Sequence, residues 1–194
     1  AGDGKGNEVM GGKRLVEQRD ALRMLAPGPV ALVTSMYRDR PNLMTAAWLL
    51  PLSLDPVYAG VAIHPTRLTH ELISKSEAFI LNIPTDLISA VHACGTQSGR
   101  DTDKFAATGL TPVDAAELEA PLVAECVGHI ECAVIDRISL GDHDLFVGQV
   151  LAVTADAEAF DGFWNVDVDA GHLLHHLGAD RYASLSKMYR AQGQ

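Results

Sequence analysis

The residues of this chain whose types could do chemistry fall into three groups. His172, His175 and His176 stand at i, i+3 and i+4, a spacing that on a helix could hold a transition metal. With no Glu or Cys beside them, a solvated or interface helix is the simpler expectation, and no metal is expected. Cys94, Cys126 and Cys132 form no C-x-x-C pair, so they read as buried structural thiols and not as zinc ligands. Cys126 and Cys132, six residues apart, would share a face on a regular strand. The third group is the most informative, because its polar members fall at the ends of expected strands and helices. Asn42 and Thr45 flank a strand that ends at Trp48, and Arg67 and Thr69 begin a helix. Lys104 follows the polar loop Gly99-Arg100-Asp101-Thr102-Asp103, and His143 occupies a tight turn. Each has a plain structural explanation taken singly: turn residue, helix cap, solvated cation, turn filler. Their joint order makes them a candidate site.

The elements that must position these residues read mostly as β. Val30 to Met36 is a short apolar, β-branched run bounded by turn chemistry, and Arg38-Asp39-Arg40-Pro41 turns it into a second strand, Asn42 to Leu49. A third strand runs from Val57 to Ile63. Close spacing without crossovers implies antiparallel pairing. Leu68, Leu72 and Ile73 then set a helical period, with Thr66 or Thr69 as its cap. Ala78 to Ile83 returns to strand, and a second helix spans Leu87, Ile88 and Val91. Gly95 to Pro121 is polar, with one helical turn after Asp101. Two long strands follow, Leu122 to Leu140, with Gly128 as a bulge, and Leu145 to Ala155, joined by a hairpin turn at Gly141-Asp142-His143-Asp144. Residues 1–12 carry five glycines and little to bury, so a disordered tail is expected, followed by a single domain over 13–194 that opens with a surface helix from Lys13 to Leu25. Six or seven antiparallel strands with two or three inserted helices indicate a mainly β barrel; a doubly wound α/β fold would need helices between the first three strands.

Composition narrows the partners. Fifteen Lys and Arg against 25 Asp and Glu give a net charge of −10, which disfavours nucleic acid bound through a broad basic face. The most apolar stretch, Met44 to Leu54, is interrupted by Pro51 and is far below the ~20 residues of a membrane span. No signal-peptide pattern opens the chain, and an odd number of cysteines makes no disulfide framework, so a cytoplasmic protein is expected. Neither a G-x-G-x-x-G nor a P-loop is present.

Six stretches in register carry a resemblance: Asn42-Leu-Met-Thr-Ala-Ala-Trp48, Ser53-Leu-Asp-Pro56, Ile63-His-Pro-Thr-Arg-Leu-Thr-His-Glu-Leu-Ile73, Ala78-Phe-Ile-Leu-Asn-Ile-Pro84, Ser98-Gly-Arg-Asp-Thr-Asp-Lys-Phe105 and Gly141-Asp-His-Asp-Leu-Phe-Val-Gly-Gln-Val150. Together they resemble the flavin reductase-like FMN-binding split-barrel family, most closely its flavoredoxin and ferric-reductase branch. The region past Phe160 diverges.

The resemblance implies FMN at a homodimer interface, held by Asn42, Met44, Thr45, Ala46, Trp48, Arg67, Thr69, Lys104, Phe105 and His143, with His143 and Lys104 as the catalytic pair. The residue types suit that cofactor. Arg67 and Thr69 at a helix start offer a guanidinium fork, a hydroxyl and free N–H groups to a phosphate. Lys104 would add a cation near the phosphate or the pyrimidine edge of the ring, and main chain from Asn42 to Trp48 would hydrogen-bond that edge. Trp48 would pack on the ring's apolar part, and His143 would sit at the rim to orient a nicotinamide or tune the flavin. The expected activity is hydride transfer from NADH or NADPH to flavin and onward to free flavin, ferric iron or a redox-protein partner. The alternative is an FMN-binding electron-transfer or storage protein; a pyridoxamine-phosphate or haem binder on the same barrel is a third class.

Overall fold

The computed structural model describes residues 8–10, 13–25 and 27–191. Seven strands make one antiparallel sheet: β1 (Ala31–Tyr37), β2 (Arg40–Ala46), β3 (Leu49–Leu54), β4 (Val57–Ile63), β5 (Ala78–Ile83), β6 (Gly128–Leu140) and β7 (His143–Ala155). Their order is β2-β1-β5-β6-β7-β4-β3, so β2 and β3 are the two edges. Three helices are inserted, α1 (Leu68–Ser76), α2 (Ile88–Thr96) and α3 (Lys104–Thr108). The expected mainly β architecture with inserted helices is the one observed.

Two cores explain why β1 reads as a continuous apolar run. Ala31 and Val33 point to one side, with Val61, Phe79, Leu81, Phe146 and Ile73 of α1. Leu32 points to the other, with Leu43 of β2, Val91 and Cys94 of α2 and Phe105 of α3. A strand buried on both faces needs no alternation of polarity. At Gly148 a side chain is excluded, since a Cβ would stand 2.7 Å from both Cys132 Cβ and the Phe79 ring. β6 and β7 pair from Gly128↔Ala155 to Leu140↔His143, and the turn between them is the two residues Gly141 and Asp142, with Gly141 at φ 62°. β7 therefore begins at His143, two residues before the strand expected there.

Several expectations are corrected. His172 follows a 3-10 turn (Asp169–Gly171), while His175 and His176 lie on a strand, Leu174–Gly178, paired with Arg181–Ser184 and with Gly28–Pro29. Adjacent strand residues point to opposite faces, so the three imidazoles do not converge. Among the described residues no group of three or more His, Cys, Asp or Glu could hold a metal. Only Asp20–Leu25 of the first expected helix is helical; Lys13–Arg14 instead pair with Glu8–Met10. Those three residues of the expected disordered tail are thus in a strand, and the rest of 1–12 lies outside the described residues. β3 is an additional strand, and it accommodates Pro51 because it is an edge. The bulges of β6 fall at Glu131/Cys132 and Val134/Asp136, not at Gly128. Cys126 precedes β6 and joins the outer core, whereas Cys132 faces the barrel core, so they share no face. All three cysteines are buried and free, and burial pushes the thiols up, Cys94 to about 11 and Cys126 and Cys132 to about 12. Among the described residues no helix is long and apolar enough to cross a membrane.

Candidate functional site

The site is organised by β2 and the two loops that pass its outer side. α1 starts at Leu68, with Arg67 in extended conformation at its cap position and exposed. Neither threonine caps it. Thr66 donates through its N–H and hydroxyl to His64 Nδ1 (3.2 and 2.9 Å), and Thr69 is turned inward. There the buried Asn42 donates from Nδ2 to Thr69 Oγ1 at 2.7 Å, which leaves the Thr69 hydroxyl proton free to donate.

Lys104 opens α3 and is only 5% exposed. Its ammonium donates to the Cys94 carbonyl at 2.7 Å, and among the described residues it forms no ion pair. Burial lowers its pKa, opposed by the Cys94 thiol and reinforced by the Arg67 guanidinium. Among the described residues, two of its three protons have no protein acceptor. A buried cation without a carboxylate is costly, so this arrangement is suited to an anion supplied from outside the chain. Asn42, Met44, Arg67, Thr69, Gly99 and Lys104 share the wall of one cavity of about 220 Å³.

A second cluster lies at the other end of β2. Trp48, 41% exposed, has its ring 4.6 Å from that of His143, which in turn meets His64 edge-on at 5.3 Å. His143 donates from Nδ1 to Asp142 Oδ1 at 2.7 Å, and this bond holds the Asp142 carboxyl below its ordinary range. His64 Nδ1 accepts from Thr66, so its proton is on Nε2. His64 was not among the residues expected from sequence; only its place in the Ile63 to Ile73 stretch hinted at it.

The remaining expected residues sit as follows. Thr45 faces away from the cavity and donates its hydroxyl to the Val91 carbonyl of α2. Ala46 is in the barrel core, and Phe105 is in the outer core. What Thr45 and Ala46 can offer a ligand is main chain, since β2 has a strand neighbour on one side only among the described residues. The structure therefore brings together Asn42, Met44, Arg67, Thr69 and Lys104, and separately Trp48 and His143, with the free edge of β2 running between them.

A match to the flavin reductase like domain covers residues 23–183. The chain belongs to that family. It is 37% identical to an uncharacterised protein of Pyrococcus abyssi over 89% of this chain and 99% of the relative, and 29% identical to an NADH-dependent FMN reductase of Streptomyces nodosus subsp. asukaensis over 84% and 82%. Among solved structures it superposes on an FMN-binding protein from Thermus thermophilus with a TM-score of 0.81 at 28% identity, covering 94% of this chain and all of that one. The flavoredoxin of Desulfovibrio vulgaris (Miyazaki F) follows at 0.77 and 27%, covering 93% and 94%. These are FMN-binding split barrels, and the fold here is theirs. The family's cofactor is FMN, and the donor set fits it: a buried ammonium, an exposed guanidinium and an oriented hydroxyl around one anion-sized cavity.

Proposed function

We propose that the protein is an FMN-dependent oxidoreductase that takes hydride from NADH or NADPH and passes electrons to an acceptor, either free flavin, ferric iron or a redox protein. The observation that carries this reading is Lys104, a buried cation with one protein acceptor among the described residues, set beside Thr69 and Arg67. Arg67, Thr69 and Lys104 would hold the phosphate; of the two places open to Lys104 from sequence, its neighbourhood favours the phosphate over the ring edge. The free edge of β2 would hydrogen-bond the pyrimidine side of the ring, and Trp48 would pack against its apolar part. Bound FMN supplies a reversible hydride acceptor. His143, backed by Asp142 and flanked by His64, would orient the nicotinamide donor at the rim. The NADH-dependent relative supports a nicotinamide donor. A homodimer would cover the apolar residues that the monomer leaves exposed, among them Leu50, Leu52 and Leu54 of β3, Leu140, Leu151 and Val153.

The test is the absorption spectrum of protein reconstituted with FMN, followed without oxygen after adding NADH or NADPH. Bleaching within seconds supports the enzyme. Bound flavin that stays oxidised over minutes with both donors would replace this reading with electron transfer or storage.

A further inference from the structure

His143 needs more than Asp142 to hold its ring. The bond between them is 2.7 Å, but the Asp142 side chain is 80% exposed on the turn, and a contact so open to water holds a side chain weakly. Two further rings bear on His143: Trp48 at 4.6 Å, itself 41% exposed, and His64, edge-on at 5.3 Å.

His64 is anchored by its own turn. Ile63 pairs with Asp144 at the end of the β4–β7 ladder, so His64 and His143 are the next residues along the two strands, opposite each other. From His64 the chain turns at once. Pro65 follows with its φ fixed by the ring, and the Arg67 N–H donates to the His64 carbonyl at 3.0 Å, which closes a four-residue turn. Inside that turn Thr66 makes two bonds to His64 Nδ1, from its N–H at 3.2 Å and its hydroxyl at 2.9 Å. An amide N–H can only donate, so Nδ1 is the acceptor, the hydroxyl also donates, and the imidazole proton is on Nε2. The turn therefore sets an imidazole of fixed tautomer and orientation against one that is loosely held.

We infer that His64 is a positioning residue for His143: locked by Thr66, it keeps the His143 ring in the orientation in which Nδ1 donates to Asp142, and it does not itself touch the donor. In that orientation the neutral ring leaves Nε2 as an acceptor, which suits the N–H of a carboxamide such as that of a nicotinamide. The inference rests on the reading of His143 given above.

Two measurements test it. The first involves no turnover. Long-range 1H–15N spectra of the full chain, recorded without donor at about pH 8, above the ordinary imidazole value of about 6.5, show which nitrogen of each neutral ring carries the proton. Wild type should show His64 protonated on Nε2 and His143 on Nδ1. His64→Ala should turn His143 into a mixture of tautomers. Thr66→Val, which keeps the amide and loses the hydroxyl, should do so in part, and Thr66→Ser should restore the wild-type pattern. The second is a double-mutant cycle, read by stopped-flow reduction of the FMN-loaded protein with NADH or NADPH. His64→Ala should lower the rate constant for reduction about tenfold, with FMN affinity within about twofold of wild type, and should have no further effect in a His143→Ala background. An unchanged His143 tautomer in His64→Ala overturns the inference, and a slow His143→Ala variant then leaves the reading of His143 standing. Equal losses from His64→Ala in both backgrounds overturn it too, because His64 would then contact the donor directly. A His143→Ala variant reduced as fast as wild type defeats the reading of His143 and this inference together.

Discussion

His70 and Asp144 tie the first turn of α1 to the start of β7. His70 Nε2 donates to Asp144 Oδ2 at 2.8 Å, both side chains being nearly buried, and the His70 ring meets Phe146 edge-on at 5.0 Å. His70 follows Thr69 on α1, and Asp144 follows His143 on β7, so one hydrogen bond links the chain neighbours of Thr69 and His143. His70→Ala should cost about 1–3 kcal/mol in urea unfolding, because it leaves Asp144 without that donor. The bond from His70 holds the Asp144 carboxyl below its ordinary range. A depressed carboxylate contributes stability that is complete above its unfolded value, about 3.9, and lost as pH falls through the lower folded value. The wild-type advantage over His70→Ala should therefore be present at neutral pH and shrink below about pH 4. An advantage unchanged by acid would show that His70 acts through packing alone.

Arg67 is exposed and has no acidic partner among the described residues, so its role should appear only with a charged ligand. Arg67→Ala is expected to weaken FMN about tenfold, or ~1.4 kcal/mol, and to leave riboflavin nearly unaffected. Parallel losses for both ligands, measured by fluorescence quenching, would point to the fold instead.

Gly99 predicts a sharper effect. A Cβ there would collide with Asn42 Oδ1, the amide whose nitrogen orients Thr69. Gly99→Ala should displace Asn42 and cost FMN affinity by about tenfold or more, with a thermal midpoint shift smaller than that of a core substitution. Unchanged FMN affinity would mean that the loop yields and Asn42 stays.

How much of this was legible in the sequence depends on the range of the interactions. Asn42, Thr69 and Lys104 are legible because each is embedded in a motif stretch, yet their convergence joins a strand and two helices, and no local pattern encodes it. Thr45 faces away from Asn42's cavity through the two-residue period of β2, a feature that the sequence does carry. The three C-terminal histidines have helical spacing, but His175 and His176 are held in a strand by pairing with Gly28–Pro29, about 150 residues earlier. His64 reaches His143 only through the ladder that sets β4 beside β7.

The exposed leucines of β3 and the apolar end of β7 predict association. Sedimentation at micromolar concentration should give a dimer of the 20.7 kDa chain, and Leu52→Glu should dissociate it. Since Leu52 is 40% exposed, a folded monomeric variant is the expected product. A wild-type monomer with FMN bound would refute the dimer.

Lys104 allows two opposite pH responses to be read from one substitution. Its lowered pKa, caused mainly by burial, means that between the folded value and the ordinary lysine value of about 10.4 the unfolded chain binds the extra proton. Stability therefore rises with pH across that window, as the cost of the buried charge is relieved. Lys104→Met removes the charge, so it should be the more stable protein at neutral pH, with the difference closing as pH climbs. FMN affinity should move the other way. The wild type should bind FMN about tenfold or more better than Lys104→Met at neutral pH, and lose that advantage in the same alkaline window, where the ammonium deprotonates. Riboflavin, without a phosphate, should show neither change. Urea midpoints and flavin titrations at matched pH values measure the two arms. An FMN affinity indifferent to both substitution and pH would leave Lys104 bound to the Cys94 carbonyl as a structural residue only.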